Sequence, residues 1–185
     1  MRKRINMKKG SILLMLGLGI ATLAQAQNNT ANVDGIEWKE WANRDDTGAR
    51  QQKTMIYLYT NWCAWCKRME DEVYQNAEVS RLINRHFAAV KFNGESREPQ
   101  TYRGETYNYV KDGRVSYHQL AAKWLNGRLS FPSLVFLDEN GVVIQAISGP
   151  RTIEQMEQVL IYFGENHYKT TPWSSFQRNF RPPTE

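Results

Sequence analysis

The chain has 185 residues, with 24 Lys and Arg and 19 Asp and Glu, which gives a formal net charge of +5. Five of the basic residues and none of the acidic ones lie in residues 1–26, so the other 159 residues carry 19 positive and 19 negative charges. This balance excludes a nucleic-acid-binding protein that depends on a strongly basic surface, and the length suits one domain with a single core.

The N-terminal residues have the pattern of a secretory signal peptide. The basic start MRKRINMKKG precedes an apolar run over residues 11–23 and the small-residue exit Ala24-Gln25-Ala26. The apolar run is shorter than the about 20 residues that a transmembrane helix needs. We therefore expect residues 1–26 to be a signal peptide cleaved near Ala26, and the mature protein to be periplasmic or secreted. An uncleaved membrane anchor is the alternative.

Hydrophobic periodicity predicts alternating helices and strands in the rest of the chain. After a loose lead-in, the predicted elements in chain order are a polar helix over 39–52, a strand over 55–59, a helix that starts within 61–67, a helix over 76–86, a strand over 87–92, a helix over 117–125, strands over 133–137 and 142–147, and a helix over 153–163. Asn76 is expected to cap its helix, Thr152 and Gln155 to form a capping box, and Asn140-Gly141 to form a hairpin. The alternation indicates an α/β fold with a mainly parallel sheet, covered on both faces, and an antiparallel C-terminal hairpin.

Residues 94–114 are too polar and too rich in glycine for a core segment. We predict an inserted loop with a small ribbon around Arg103-Gly104. Three tyrosines in this loop could form a lip over the functional site or a partner-docking surface, or could pack the loop onto the domain. They are Tyr102, Tyr107 and Tyr109.

The only two cysteines of the chain lie in the motif NWCAWCK, residues 61–67. The strand before the motif and the spacing of Cys66, Met69 and Val73 predict a helix that starts at the motif and turns Cys66 inward. At a helix start the first thiol has a lowered pKa and the second thiol can reach it, as thiol–disulfide exchange requires. We therefore predict that Cys63 is the nucleophile and Cys66 the resolving thiol.

Other uses of the cysteine pair agree less well with the sequence. A structural disulfide remains an alternative, although one that closes so short a loop restricts the unfolded chain little. A c-type haem site needs His directly after the second cysteine, where this chain has Lys67, and structural zinc needs further ligands. We expect no metal and no dissociable cofactor, since the histidines are scattered along the chain at His86, His118 and His167.

The strand, the WCxxCK motif and its helix, together with Phe131-Pro132-Ser133 and the Asn-Gly hairpin, resemble the thioredoxin superfamily, in particular its exported thioredoxin-like subgroup. The resemblance covers residues 36–166. It implies a thioredoxin-like α/β fold, in which helices flank a central mixed sheet with an antiparallel C-terminal hairpin. The implied organisation is a signal peptide (1–26), a thioredoxin-like domain (27–168, with the inserted loop 94–114) and a C-terminal tail (169–185).

The resemblance also implies which side chains bind the substrate. Trp62 would form a flat wall beside the reactive sulfur, with core packing as its alternative, and Trp65 would shape substrate access. Pro132 matches the cis-proline of the family, beside which the backbone of Phe131 would pair with an extended substrate. An ordinary trans-proline at a strand start is the alternative for Pro132.

The sequence departs from the family pattern beneath the cysteines. Many thioredoxins carry a buried acid five residues before the motif tryptophan, where this chain has Tyr57. Lys91 matches the family lysine that normally lies near that acid. The nearest carboxylate in the sequence is Glu70, one helical turn after Cys66, although a solvated helix residue is the favoured interpretation of Glu70.

The sequence therefore predicts an exported thiol:disulfide oxidoreductase that acts on protein thiols and disulfides. Ala64-Trp65 places no charge between the cysteines, which favours a reductase or an isomerase over a strong oxidant. A reductase outside the cytosol needs an electron donor, for which a membrane carrier is the expected partner, and we expect a monomer. The alternatives are a non-catalytic binding module with this fold and a secreted domain whose disulfide is only structural.

Overall fold

The computed structural model describes residues 35–43 and 52–181. These described residues contain nine strands, and five of them form the central sheet. The first three strands of that sheet are β1 (Lys39–Glu40), β2 (Lys53–Tyr59) and β3 (Phe87–Asn93). The inserted segment contributes β4 (Gln100–Tyr102), β5 (Glu105–Tyr107), β6 (Tyr109–Asp112) and β7 (Val115–His118). The remaining two strands of the central sheet are β8 (Ser133–Leu137) and β9 (Val143–Ser148). The predicted signal peptide and lead-in lie outside the described residues.

The central sheet has the strand order β1-β3-β2-β8-β9. β3 is parallel to both β1 and β2, whereas β8 is antiparallel to both β2 and β9. The predicted central mixed sheet and its antiparallel C-terminal hairpin are confirmed. Four of the five strands run in one direction, as expected for a mainly parallel sheet, but the antiparallel strand β8 lies inside the sheet between β2 and β9 and not at its edge.

Helices pack around this sheet. Their bounds are α1 (Ala64–Arg68), which continues into a π-helical turn (Met69–Val73), α2 (Ala77–His86), α3 (Gln119–Trp124), α4 (Ile153–Gly164) and α5 (Trp173–Asn179), with short 3-10 turns at Trp41–Asn43 and His167–Lys169. The Asn76 side chain caps α2 by accepting hydrogen bonds from the N–H groups of Glu78 and Val79. Thr152 and Gln155 form the predicted capping box of α4. None of the helices in the described part of the chain is long and apolar enough to span a membrane.

The starts of two predicted helices differ in the structure, and residues 44–51 of the first of them lie outside the described residues. Lys39 and Glu40 form a short edge strand that pairs with Val90 and Lys91, instead of starting a helix. An exposed strand at a sheet edge carries polar side chains on both faces, so it leaves no periodic apolar signal. Tyr117 belongs to β7 and not to the following helix, because it pairs with Val110 across a ribbon.

The inserted segment contains two antiparallel ribbons. β4 and β5 form the predicted ribbon, whose turn is made by Arg103 (φ 52°) and Gly104 (φ 80°). The second ribbon, β6 with β7, extends to His118. Tyr102 is buried, and its hydroxyl donates a hydrogen bond to the Gly141 carbonyl (2.8 Å) in the β8–β9 turn. Part of the segment is therefore core, and Tyr102 packs the loop onto the domain at the end of β8 away from Ser133.

The sheet has a hydrophobic cluster on each face. Along β2, Met55 and Tyr57 point to the face that contains the cysteines, whereas Ile56 and Leu58 point to the opposite face. This alternation is the normal period of a strand that is buried on both sides. The cysteine-side cluster is completed by α2 and α4, and the opposite cluster by α3 and the inserted segment.

Candidate functional site

The cysteine motif lies at the carboxyl end of β2, where the strand gives way to α1. Cys63 is the N-cap of α1, and its sulfur accepts a hydrogen bond from the Cys66 N–H (3.1 Å). The helix therefore directs a backbone N–H at the first sulfur, an arrangement that stabilises a thiolate at that position.

The two cysteines form a disulfide, so the structure represents the oxidised state. Their Cα atoms are 5.2 Å apart. Cys66 is 1% exposed and shares the inward face of the helix with Met69 and Val73, as the spacing predicts. Cys63 is 4% exposed and lies nearer the surface.

The two motif tryptophans lie outside the core. Trp62 is 67% exposed and Trp65 is 54% exposed, so core packing is the wrong interpretation of Trp62. The Trp62 indole N–H donates to the Glu95 carboxylate (3.1 Å), and its ring meets Phe131 edge to face. The Arg68 guanidinium lies 5.5 Å from the centre of the Trp65 ring. Exposed aromatic surface therefore flanks the disulfide.

The segment before β8 reaches the same end of the sheet. The Phe131-Pro132 peptide bond is cis, as the resemblance implies. Phe131 is half-buried and packs against Gly94, where an added Cβ would lie 2.3 Å from the Phe131 ring. The Pro132 carbonyl accepts a hydrogen bond from the Gly149 N–H (2.8 Å), which ties the end of β9 to this segment. The structure thus places Phe131 against Trp62 and Pro132 one residue before the strand that borders β2.

A polar cluster lies beneath Cys66, at the position where the sequence departs from the family pattern. The buried Tyr57 hydroxyl donates to the Cys66 carbonyl (3.0 Å). Glu70 pairs with Lys91 (3.1 Å), so it is not merely a solvated helix residue. Burial, followed by the nearby Glu70 carboxylate, raises the pKa of Tyr57 well above its usual value. Lys91, whose usual acidic partner in the family is replaced by Tyr57, therefore pairs with the Glu70 carboxylate, which follows the motif helix α1.

Sequence reasoning missed two residues near the motif, Glu95 and Arg151. Glu95 follows β3, whose carboxyl end meets that of the parallel strand β2 at one sheet edge, so strand order offered a signal for its position. Arg151 follows the end of β9 and lines a groove together with Trp65. Its position depends on how α4 packs against α1, for which the sequence carries no short-range signal.

The described residues, 35–43 and 52–181, contain no group of three or more His, Cys, Asp or Glu side chains that could hold a metal ion. His118 lies in the core, where its Nδ1 accepts a hydrogen bond from the Leu120 N–H and its Nε2 contacts the Glu98 carbonyl. His86 packs against Gly164 and lies 3.8 Å from the Glu165 carboxylate. The contacts of both histidines are therefore those of side chains that help to pack the fold.

Comparison with known proteins identifies related sequences and folds. The family model described as a thioredoxin-like domain matches residues 43–164. The disulfide bond reductase DsbH of Chlamydia pneumoniae is 23% identical over 110 residues, which cover 57% of this chain and 58% of that protein. Human spermatogenesis-associated protein 20 is 34% identical over 64 residues, which cover 34% of this chain and 8% of that protein. The chain thus spans less than two thirds of the length of both relatives.

A solved structure of a thioredoxin-fold protein from Helicobacter pylori superposes with a TM-score of 0.52 at 18% identity. The match covers 69% of this chain and 78% of that protein. At this identity the likeness concerns the fold alone.

Proposed function

Because this chain belongs to the thioredoxin-like family, we propose that it is an exported thiol:disulfide oxidoreductase that acts on protein disulfides through Cys63 and Cys66. The observation that carries the proposal is the Cys63 sulfur, which caps α1 and accepts the Cys66 N–H within the disulfide. A structural cross-link has no need of such a donor, whereas a leaving or attacking thiolate is stabilised by it.

The reaction starts from the reduced pair. The Cys63 thiolate attacks one sulfur of a client disulfide, a Cys63–client mixed disulfide forms, and the other client sulfur leaves as a thiolate. The Cys66 thiol loses its proton and attacks the Cys63 sulfur, which releases the second client thiolate and forms the Cys63–Cys66 disulfide. The client gains the electron pair that the two enzyme thiols lose, and its thiolates take up protons.

The direction of this exchange is reduction or isomerisation. Ala64 and Trp65 place no charged side chain between the cysteines, so no side chain there strongly stabilises the reduced pair over the disulfide. The partial similarity to a protein named as a disulfide bond reductase supports the same direction. An exported reductase must be reduced again after each turnover, and we propose a membrane-bound electron donor for that step.

Clients bind across Trp62, Trp65, Phe131 and Pro132. The two exposed tryptophans and the half-buried Phe131 provide apolar surface at the end of the sheet where the disulfide lies. An extended client segment that lies along the backbone at Phe131 would pair with it as a short strand and bring its disulfide to Cys63.

Trapping of mixed disulfides tests the proposal. Cys66→Ser should accumulate covalent client complexes through Cys63, because the resolving thiol is missing, whereas Cys63→Ser should trap few. The double variant Cys63→Ser/Cys66→Ser is the control for non-covalent capture. Equal trapping by the two single variants would contradict the assigned roles. Failure of the wild-type dithiol to reduce any disulfide, together with unfolding on reduction, would identify a structural cross-link.

A further inference from the structure

A cavity of about 680 Å³ lies between β9, α4 and the C-terminal residues. Its size is in the range of pockets that take a ligand or a large side chain. We call it the tail cavity. Its walls include the apolar and aromatic side chains of Ile147, Tyr162, Tyr168 and Trp173 and the amides of Gln158 and Gln177.

Arg151 is the one charged side chain among the described residues that line the tail cavity. Its guanidinium donates to the carbonyls of Ser148 (3.1 Å), Gly149 (3.3 Å) and Pro150 (2.8 Å), which hold it in place. The Nε–H and one N–H of Nη2 have no acceptor in the described part of the chain, and no described carboxylate pairs with the group. Burial lowers the pKa of Arg151, which indicates a cation that has lost part of its hydration.

The tail cavity is connected to the cysteine motif through shared wall residues. Arg151 and Gln155 also line a groove of about 400 Å³ whose opposite wall includes Trp65 and Arg68. Within this groove Arg68 is neutralised by Glu72 at 3.0 Å, so Arg151 supplies the unbalanced positive charge.

The position of Arg151 is also fixed relative to the proposed client-binding segment. The Gly149 N–H donates to the Pro132 carbonyl (2.8 Å), two residues before Arg151 in the chain. A client that lies across Pro132 and Trp65 during exchange can therefore continue over the groove towards Arg151. An extended chain advances about 3.3 Å per residue, so three residues of a client span about 10 Å along this path.

We propose that Arg151 and the tail cavity select protein clients whose reactive cysteine has an acidic residue, and beyond it an apolar residue, close by in sequence. The client carboxylate binds the free N–H groups of the Arg151 guanidinium, and the apolar side chain enters the tail cavity. A protein segment suits this surface because the groove runs from the motif to the cavity. This inference rests on the proposed function, since it names the clients of the same dithiol.

The test compares two synthetic peptides that each contain one intramolecular disulfide and differ at a single position. One peptide carries Glu and the other Gln, three residues from the attacked cysteine, and both carry Leu beyond that position. The reduced protein is mixed with each peptide, and the rate of peptide reduction is measured in a single turnover. We expect the Glu peptide to be reduced about fivefold faster at low salt, and the ratio to approach one at high salt.

Four variants locate the origin of the preference. Arg151→Gln should bring the rate ratio close to one, whereas Arg151→Lys should retain most of it because the positive charge remains. Gln155→Glu should also lower the ratio, because it places a negative charge in the shared wall, and it keeps the capping box since Glu serves there as well as Gln. Lys111→Gln is the matched loss of charge on an exposed ribbon that lines neither the groove nor the cavity.

The outcomes separate this inference from the proposed function. Equal reduction of the two peptides by the wild-type protein, or a preference that survives in Arg151→Gln, would overturn the role of Arg151 while leaving the dithiol chemistry intact. If Lys111→Gln lost as much of the preference for the Glu peptide as Arg151→Gln, the preference would depend on net charge alone, and the inference would be overturned as well. Absence of exchange with either peptide would overturn the proposed function and this inference with it.

Discussion

Tyr57→Phe should destabilise the protein although it removes a single oxygen atom. Tyr57 is fully buried, and its hydroxyl donates to the Cys66 carbonyl at 3.0 Å. The phenylalanine ring fills nearly the same volume, so the main change is a buried carbonyl that loses a donor. The Cys66 carbonyl keeps the Met69 N–H as a donor, so the substitution removes one hydrogen bond without leaving a buried group unpaired. Such a bond contributes about 0.5–1.5 kcal/mol, and we expect a loss of about 1 kcal/mol in the free energy of unfolding.

Thermal and urea unfolding of the oxidised protein, followed by circular dichroism, measure this loss. For a chain of this size about 1 kcal/mol corresponds to a fall in Tm of about 2–4 °C. Tyr59→Phe is the matched control. Tyr59 stacks on Tyr57, but its hydroxyl has no hydrogen-bond partner in the described part of the chain. We expect the control to change the free energy of unfolding by less than about 0.5 kcal/mol.

Alkaline pH gives the same variant a second, opposite signature. In the folded state, burial raises the pKa of Tyr57, and the nearby Glu70 carboxylate raises it further. In the unfolded state the pKa of Tyr57 is about 10. The unfolded state therefore releases this proton first, and the stability from Tyr57 is complete below about pH 10 and is lost as the pH rises further. Tyr57→Phe removes this contribution, so its stability should fall less steeply above pH 10, by up to about 1.4 kcal/mol per pH unit.

Two results would refute this reasoning. A loss at neutral pH no larger than that of Tyr59→Phe would mean that the Tyr57 hydroxyl contributes nothing to the folded state. Identical slopes of Tyr57→Phe and wild type above pH 10 would mean that Tyr57 titrates in the folded protein as it does in the unfolded chain.

Two further predictions concern proton transfer and export. Glu70→Gln should slow the attack of Cys66 on the mixed disulfide by at least about tenfold, because Glu70, which pairs with Lys91 and interacts with Tyr57, is the carboxylate nearest to Cys66 in sequence and can accept the Cys66 proton. Stopped-flow measurement of resolution checks this, with Glu72→Gln as control, and equal rates for both variants would exclude the role. The intact mass of the exported protein should correspond to a chain that begins near Gln27, and a mass that includes residues 1–26 would show that the leader is retained.

The parts of the fold that were predictable have strong local patterns. The apolar strand 55–59, the spacing of Cys66, Met69 and Val73, and the capping residue Asn76 each predict an element that the structure contains. These patterns work because burial and capping are decided within a few residues of the chain.

The features that escaped prediction depend on partners distant in sequence. The edge strand at Lys39 is recognisable only from its pairing with β3, and the burial of Tyr102 depends on the Gly141 carbonyl 39 residues later. Glu70 illustrates the same limit within the candidate site. Its position one turn after Cys66 was evident, but its pairing with Lys91 depends on how the motif helix lies over the sheet.

Because β2 is buried on both faces, substitutions that change the stability of the fold and substitutions that change the redox site can lie on opposite faces of the sheet. Tyr57 and the cysteines belong to one cluster, whereas the edge-to-face pair of Trp41 and Trp124 belongs to the cluster on the other face. Side chains on opposite faces of one sheet share few partners, so substitutions there should combine additively in their effect on unfolding. A stabilising change around Trp124 could therefore offset a destabilising change near Cys66, which gives this chain room to alter its redox site without losing its fold.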